Sequence, residues 1–329
     1  MDVMKNKKRV LTGDRPTGLT LPIAAYVGTL KSRVDGQSSY DTFVFVADYH
    51  ALTTHYEDSK HILTNTLGLV KTYLSIGLDP NTVTFYRQSR IPQTFRLNVI
   101  LSMLTKMPEL ERQPMLKEKL ALGHKLTFGL MGYPVLMASD ILIMNSDLVP
   151  VAKDNEAHIE IAKDLARRFN STYGKVFNIP EGIIGEVVIG LDGQGKSGKS
   201  TGGIYFTDDS DTVKRKIMGM YTDPNRIHST DPGEVKGNPV FIYHEYFNDN
   251  VEEVKDLKDR YQRGKVGDIE VKDKLFIAIE KFLEPIREER EKVEKKGDDY
   301  IFDVLKTGEE RAQKVAGEIE AKVMEVMGF

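Results

Sequence analysis

The chain has 329 residues with no cysteine and no tryptophan, although it carries 14 Phe and 14 Tyr. Without cysteine there are no disulfides, no thiolate metal sites and no cysteine nucleophile. Lys and Arg number 46 against 49 Asp and Glu, a net charge of -3 that lacks the basic footprint of a non-specific nucleic-acid binder. The length allows one large domain or two moderate ones with a sizeable core. The first ten residues, MDVMKNKKRV, lack the apolar stretch of a signal peptide, and no apolar run is long enough to span a bilayer. The expected compartment is the cytoplasm, with no membrane partner.

Residues 8–12 predict a strand that runs into the turn GDRPTG. Residues 22–34 predict a helix with Pro22 in its permissive first turn. The continuous run TFVFVA at 42–47 predicts a buried parallel strand. A helix over 59–76 and a strand over 82–86 follow. From 94 to 170 the pattern is mainly helical, punctuated by Pro108, Pro114 and Pro134. Residues 186–191 predict another strand, leading into a Gly-rich loop at 192–203. Beyond Asp208 the spacing is helical almost to the end, and the charge-dense stretches 255–263 and 284–296 read as solvated helix faces. Strands alternating with helices predict an α/β fold with a doubly wound, mostly parallel sheet. A boundary near Phe206 separates residues 1–205 from a mainly helical C-terminal domain, 206–329.

The loop GQGKSGKS at 193–200 matches the P-loop pattern GxxxxGKS. A P-loop needs a helix directly downstream, whose N-terminus faces the phosphates. The following TGGIYF has two glycines and reads as strand or loop, which argues against a P-loop NTPase. Two readings remain, a plain surface loop or a mobile clamp in which Lys196 and Lys199 bring point charges to a polyphosphate.

A second glycine cluster, LTGDRPTG at 11–18, joins the first strand to the first helix, where doubly wound sheets bind ligands. With it stand VADYHALT (46–53), YPVLMASDIL (133–142), DLVPVAKDNEAHIE (147–160), GLDGQGKSGKS (190–200) and MYTDPNRIHSTDPGEVKGNPVF (220–241). Through these segments the chain resembles the tryptophanyl-tRNA synthetases, class I aminoacyl-tRNA synthetases, over nearly its whole length. The resemblance implies a Rossmann-like catalytic domain, a helical C-terminal domain that contacts the tRNA anticodon, and a homodimer. It implies a ligase that activates L-tryptophan with ATP and Mg2+ and transfers it to tRNA(Trp). ATP with Mg2+ is substrate there, with no prosthetic group and no metal site of the protein's own. The alternative is a non-catalytic relative that keeps the fold and binds tRNA, tryptophan or a protein partner.

Asp140 lies in an apolar run, where an unpaired carboxylate is expensive. It reads as a satisfied core or capping aspartate, or, by the resemblance, as acceptor for the indole N–H of tryptophan. Such an acceptor would reject phenylalanine, which leaves it unpaired. Met137 and Tyr133 would line the same pocket, or simply pack. His50 is either structural or beside the pocket, and His158 has no assigned role. The resemblance gives Arg15, Pro16, Thr17 and Thr20 to ATP, together with Ala152, Lys153, Asp154 and Val187. It gives the loop residues Lys196, Ser197, Gly198, Lys199 and Ser200 to ATP as well, both lysines being catalytic. Asp154 and Asn155 alternatively cap a helix, and Asn155 is otherwise placed at the tryptophan end.

Three motifs depart from the family. Where HIGH is expected the chain reads LTLPIAA (19–25), one residue longer, with Thr20 its only polar side chain. KMSKS reads KSGKS (196–200), so serine replaces the methionine that would anchor the loop by packing. Gly-x-Asp-Gln reads AKDN (152–155), with a shorter amide. The missing tryptophan is itself consistent with an enzyme made under tryptophan scarcity, and it leaves a bound ligand as the sole source of indole fluorescence.

Overall fold

Five parallel strands form one sheet, and the order of the strands in space differs from their order in the chain. The computed structural model describes residues 7–153, 156–198, 201–228 and 230–329. Strands β1 (Arg9–Asp14), β2 (Asp41–Val46) and β3 (Thr84–Arg87) lie where the apolar runs predict them, and β4 (Leu148–Ala152) and β5 (Glu181–Gly185) complete the sheet. All six residues of β2 are buried, as a central parallel strand covered on both faces requires. The spatial order is β3-β2-β1-β4-β5, so the winding reverses between β1 and β4. In an open α/β sheet, that switch point leaves a crevice beyond the carboxyl ends of the two strands. β1 ends beside Arg15, Pro16 and Thr17, and β4 ends on Ala152, beside Lys153. The fold is the Rossmann-like parallel α/β arrangement.

One strand falls earlier than predicted. Residues 186–191 are not part of the sheet; β5 precedes them. The sequence of β5, EGIIG, carries two glycines and mostly exposed side chains, so its local signal is weak. Backbone pairing with β4, from Leu148 opposite Glu181 to Ala152 opposite Gly185, makes it a strand. Residues 186–191 pair instead with the loop that follows: Ile189 bridges Lys196, and the Ser197 N–H donates to the Val188 carbonyl at 2.9 Å.

The chain does not divide once near Phe206. One unit holds the described residues up to Leu19, then Lys31–Gly185 and Val293–Phe329, and a second holds Thr20–Leu30 and Glu186–Lys292. The C-terminal helix, α13 (Gly297–Met327) in chain order, therefore belongs with the sheet rather than with the helices before it. Its buried face includes Leu305, Gly308, Ala312, Ala316 and Ile319. A Cβ on Gly308 would stand 1.8 Å from the Phe85 carbonyl oxygen, so only glycine lets α13 lie directly on β3. Ion pairs from Arg87 to Glu309 at 2.6 Å and from Arg311 to Asp41 at 2.5 Å fix it there. Apolar spacing announces a buried helix face without saying what buries it.

The rest of the sheet unit consists of helices α1 (Lys31–Gly36), α2 (Asp48–His55), α3 (Ile62–Ser75), α4 (Pro92–Met103), α5 (Met107–Glu111), α6 (Pro114–Ala121), α7 (Phe128–Ile143) and α8 (Glu156–Thr172). Pro108 and Pro114 occupy first turns, where the missing N–H is harmless, whereas Pro134 lies inside α7. The second unit contains α9 (Ser210–Met218), α10 (Pro239–Phe247), α11 (Val251–Gln262) and most of α12 (Asp268–Lys295). Asp209, Asn238 and Asn250 cap α9, α10 and α11 through their side-chain oxygens. Its core is aromatic, with the Phe282 ring meeting Tyr26, Phe206 and Phe247 at centroid distances of 5.0, 6.4 and 5.0 Å.

Pro22 does not start a helix. It bridges Tyr205, and the Ile23 N–H donates to the Ile204 carbonyl at 2.8 Å. Helical structure begins at Ala24, and Tyr26–Leu30 is a π-turn. A turn of this kind holds one residue more than an α-helical turn.

Replacing Gly308 with alanine is expected to lift α13 from β3 and to lower stability by about 3 kcal/mol, read as a shifted urea midpoint.

Candidate active site

Tyr133, Met137 and Asp140 share one face of α7, since residues four and three apart align along a helix. Asp140 is 2% exposed, so its carboxylate needs partners. Gln88, just beyond β3, donates to Oδ2 at 2.7 Å, and His50 Nε2 on α2 meets the same oxygen at 3.0 Å. Gln88 also accepts from the His50 N–H at 3.2 Å, which closes the cluster. Burial pushes the Asp140 carboxyl up, while the hydrogen bond and charge of His50 and the Gln88 amide pull it back, and Asp48 pushes it up again. Asp48 is itself raised by burial, against hydrogen bonds from Ser89 and Tyr49. The Tyr133 ring stands edge-on to His50 at 6.5 Å, and its hydroxyl meets His158 Nε2 at 2.7 Å.

The structure thus brings His50, Tyr133 and Asp140 together and keeps half-buried Met137 on their helix face. Gln88 and His158 belong to the cluster without having been predicted. Gln88 sits in YRQSR, a stretch with no periodic or motif signal, and the His158 contact spans 25 positions. Asn155, the remaining residue of this set, lies outside the described residues, as do Asp154, Lys199 and Ser200.

Beyond β1 the chain turns sharply, with the Thr17 N–H donating to the Arg15 carbonyl at 2.8 Å. Asn65 of α3 donates to the Pro16 carbonyl at 3.0 Å. Gly68, one turn further on, lets α3 approach the backbone of Leu19, where a Cβ would come within 2.3 Å of the Leu19 carbonyl oxygen. A glycine in the middle of an apolar helix was the available signal for that close approach. Asp14, the last residue of β1, accepts from Arg33 at 2.6 Å and from the Tyr73 hydroxyl at 2.7 Å. Arg15 is exposed, Pro16 is buried and Thr17 is half-buried. At the end of β4, Ala152 is half-buried and Lys153 exposed.

In the second unit, Thr20 is half-buried and Val187 is 41% exposed. The Gly-rich loop closes on itself like a hairpin. Gly198 bridges Gly202, and the Gly190 N–H donates to the Gly195 carbonyl at 3.1 Å. Lys196 is exposed while Ser197 is 8% exposed, so successive residues point to solvent and core. The base of the loop rests on the segment after α9, where the Tyr221 N–H donates to the Leu191 carbonyl at 2.8 Å. Lys272 holds that segment by donating to the Met220 carbonyl at 2.8 Å and to Thr222 Oγ1 at 2.9 Å. Residues 201–206 contain no helix, consistent with the rejection of a P-loop.

The family model for class I tRNA synthetases (W and Y) matches residues 4–284. A tryptophan–tRNA ligase of Borreliella burgdorferi is 46% identical over 98% of this chain and 94% of its own length. A tryptophan–tRNA ligase of Treponema pallidum is 44% identical over 98% of this chain and 97% of its own. The Campylobacter jejuni tryptophanyl-tRNA synthetase, solved with ADP and tryptophan, superimposes with a TM-score of 0.85. It is 34% identical and covers 98% of this chain and all of its own.

Gln88→Leu is expected to lower stability by about 1–3 kcal/mol, because a buried carboxylate loses a donor. Gln88→Glu should destabilise further at pH 8 and recover as pH falls, since a shared proton restores the hydrogen bond between two carboxyls. Denaturation midpoints across that pH range check both.

Proposed function

The chain belongs to the class I tRNA synthetases of the tryptophan and tyrosine type, and from that premise we propose how its residues carry the reaction. It is a tryptophan–tRNA ligase, joining tryptophan to ATP as an adenylate and passing the amino acid to tRNA. The tryptophan carboxylate attacks the α-phosphate in line, the bond to the β-phosphate breaks, and pyrophosphate leaves. The protein promotes this step by positioning and by offsetting charge.

The buried Asp140 cluster supports the amino-acid side of this reading most directly. Gln88 and His50 hold the carboxylate and leave it an acceptor suited to the indole N–H. Tyr133 and Met137 flank it, and Asn155 is assigned to the ammonium or carboxylate end. On the ATP side, Arg15, Pro16, Thr17, Ala152 and Lys153 stand at the switch point, and Asp154 is assigned to ATP with them. Thr20, Val187 and the loop residues Lys196 to Ser200 are assigned to ATP as well. Lys196 and Lys199 balance charge on the departing pyrophosphate, and Mg2+ enters with ATP as part of the substrate. The tRNA anticodon is read by the helical part of residues 206–292, because α13 is committed to the sheet.

The chain acts as a homodimer. This reading is supported by exposed apolar side chains in one stretch of the sheet unit, Val99, Met103, Leu122, Leu126 and Phe128, with Met103 at 75% and Phe128 at 85%. The chain's site of action is the cytoplasm; separately, among the described residues no helix is long and apolar enough to cross a membrane.

Tryptophan-dependent exchange of pyrophosphate into ATP is expected above background; its absence at high enzyme concentration would overturn the ligase reading. Asp140→Ala should weaken tryptophan binding about tenfold to a hundredfold, followed by ligand fluorescence that no protein tryptophan obscures. Equal affinity in variant and parent removes the role of Asp140. Phe128→Asp should convert dimer to monomer in light scattering after gel filtration.

A further inference from the structure

The loop that carries Lys196 has lost its packing methionine, yet the residue in its place is not idle. Ser197 is buried, and its Oγ lies 3.2 Å from the hydroxyl of Tyr243 on α10. The same tyrosine hydroxyl lies 3.3 Å from the Ile189 carbonyl, on the chain entering the loop. Ser197 Oγ in turn faces the Gly202 carbonyl at 3.5 Å, on the chain leaving it. One phenol proton is thus shared between the incoming limb and the lysine-bearing limb, and the serine hydroxyl continues the line to the outgoing limb. Burial raises the Tyr243 hydroxyl to about 12, so it stays a donor at neutral pH. Its ring is fully buried, so its position is set by the core and not by the loop.

We propose that Tyr243 is a positioning residue for adenylate formation, holding Lys196 toward the phosphates through the Ser197 hydroxyl in place of methionine packing. This rests on the reading that Lys196 serves ATP. The backbone of Ser197 is already tied to Val188, and Lys196 bridges Ile189, so fixing the Ser197 side chain leaves the neighbouring lysine little freedom except in its own rotamers. Gly198 follows at once, so order imposed after this point would not reach Lys196.

The test is steady-state pyrophosphate exchange with Ser197→Ala, Tyr243→Phe, the double variant and Lys196→Ala. Each single variant is expected to lower kcat/KM for ATP about fivefold to tenfold, with KM for tryptophan within twofold of the parent. The double variant should be no worse than the poorer single, because both remove one interaction. Lys196→Ala should lose about a hundredfold or more. Several outcomes overturn the proposal: ATP parameters within twofold in both singles, losses that multiply in the double variant, or equal losses for ATP and tryptophan. Tyr243→Phe keeps the ring and Ser197→Ala removes a single atom, so matched melting temperatures separate positioning from unfolding. If Lys196→Ala retains full exchange, the loop's role on ATP fails first. If only Lys196→Ala fails, the latch alone is wrong.

Discussion

A carboxylate as deeply buried as that of Asp140 persists only where hydrogen-bond donors converge on it, and much of the sheet unit is arranged so that they do. The two donors come from separate places, His50 on the helix after β2 and Gln88 just after β3. Only a parallel sheet delivers the ends of successive strands to the same edge, and so to the same face of α7. The order of the strands then decides where that edge opens. Reversal between β1 and β4 places Arg15–Thr17 and Ala152–Lys153 at the crevice.

The turn after β1 is supported from several sides. Asp14 anchors its start through Arg33 and Tyr73, Asn65 holds the Pro16 carbonyl, and Gly68 admits the backbone at Leu19. The Gly-rich loop of the second unit is held differently, by hairpin backbone bonds and by the buried Tyr243. Exposed Lys196 beside buried Ser197 divides reach from anchorage within two residues.

Departures from the family pattern look different once folded. The longer segment at 19–25 leads directly into a π-turn, Tyr26–Leu30, which holds one residue more than an α-helical turn. Serine in the lysine loop reads from sequence as the loss of an apolar anchor. In the structure it exchanges packing for a hydrogen bond with a partner 46 positions away.

The amino-acid sequence by itself determined the three leading strands and most helices. Apolar run length and period are local properties, and local backbone preference follows from them. It also marked Asp140 as a buried carboxylate in need of an explanation. The tertiary structure alone decided that Gln88 satisfies that carboxylate, that EGIIG is a strand while residues 186–191 are not, and that α13 returns to the sheet. Each of these depends on a partner distant in sequence. An edge strand is made by its neighbour's hydrogen bonds, a helix face by whatever covers it, and a buried charge by donors from other elements. Local patterning carries none of that information.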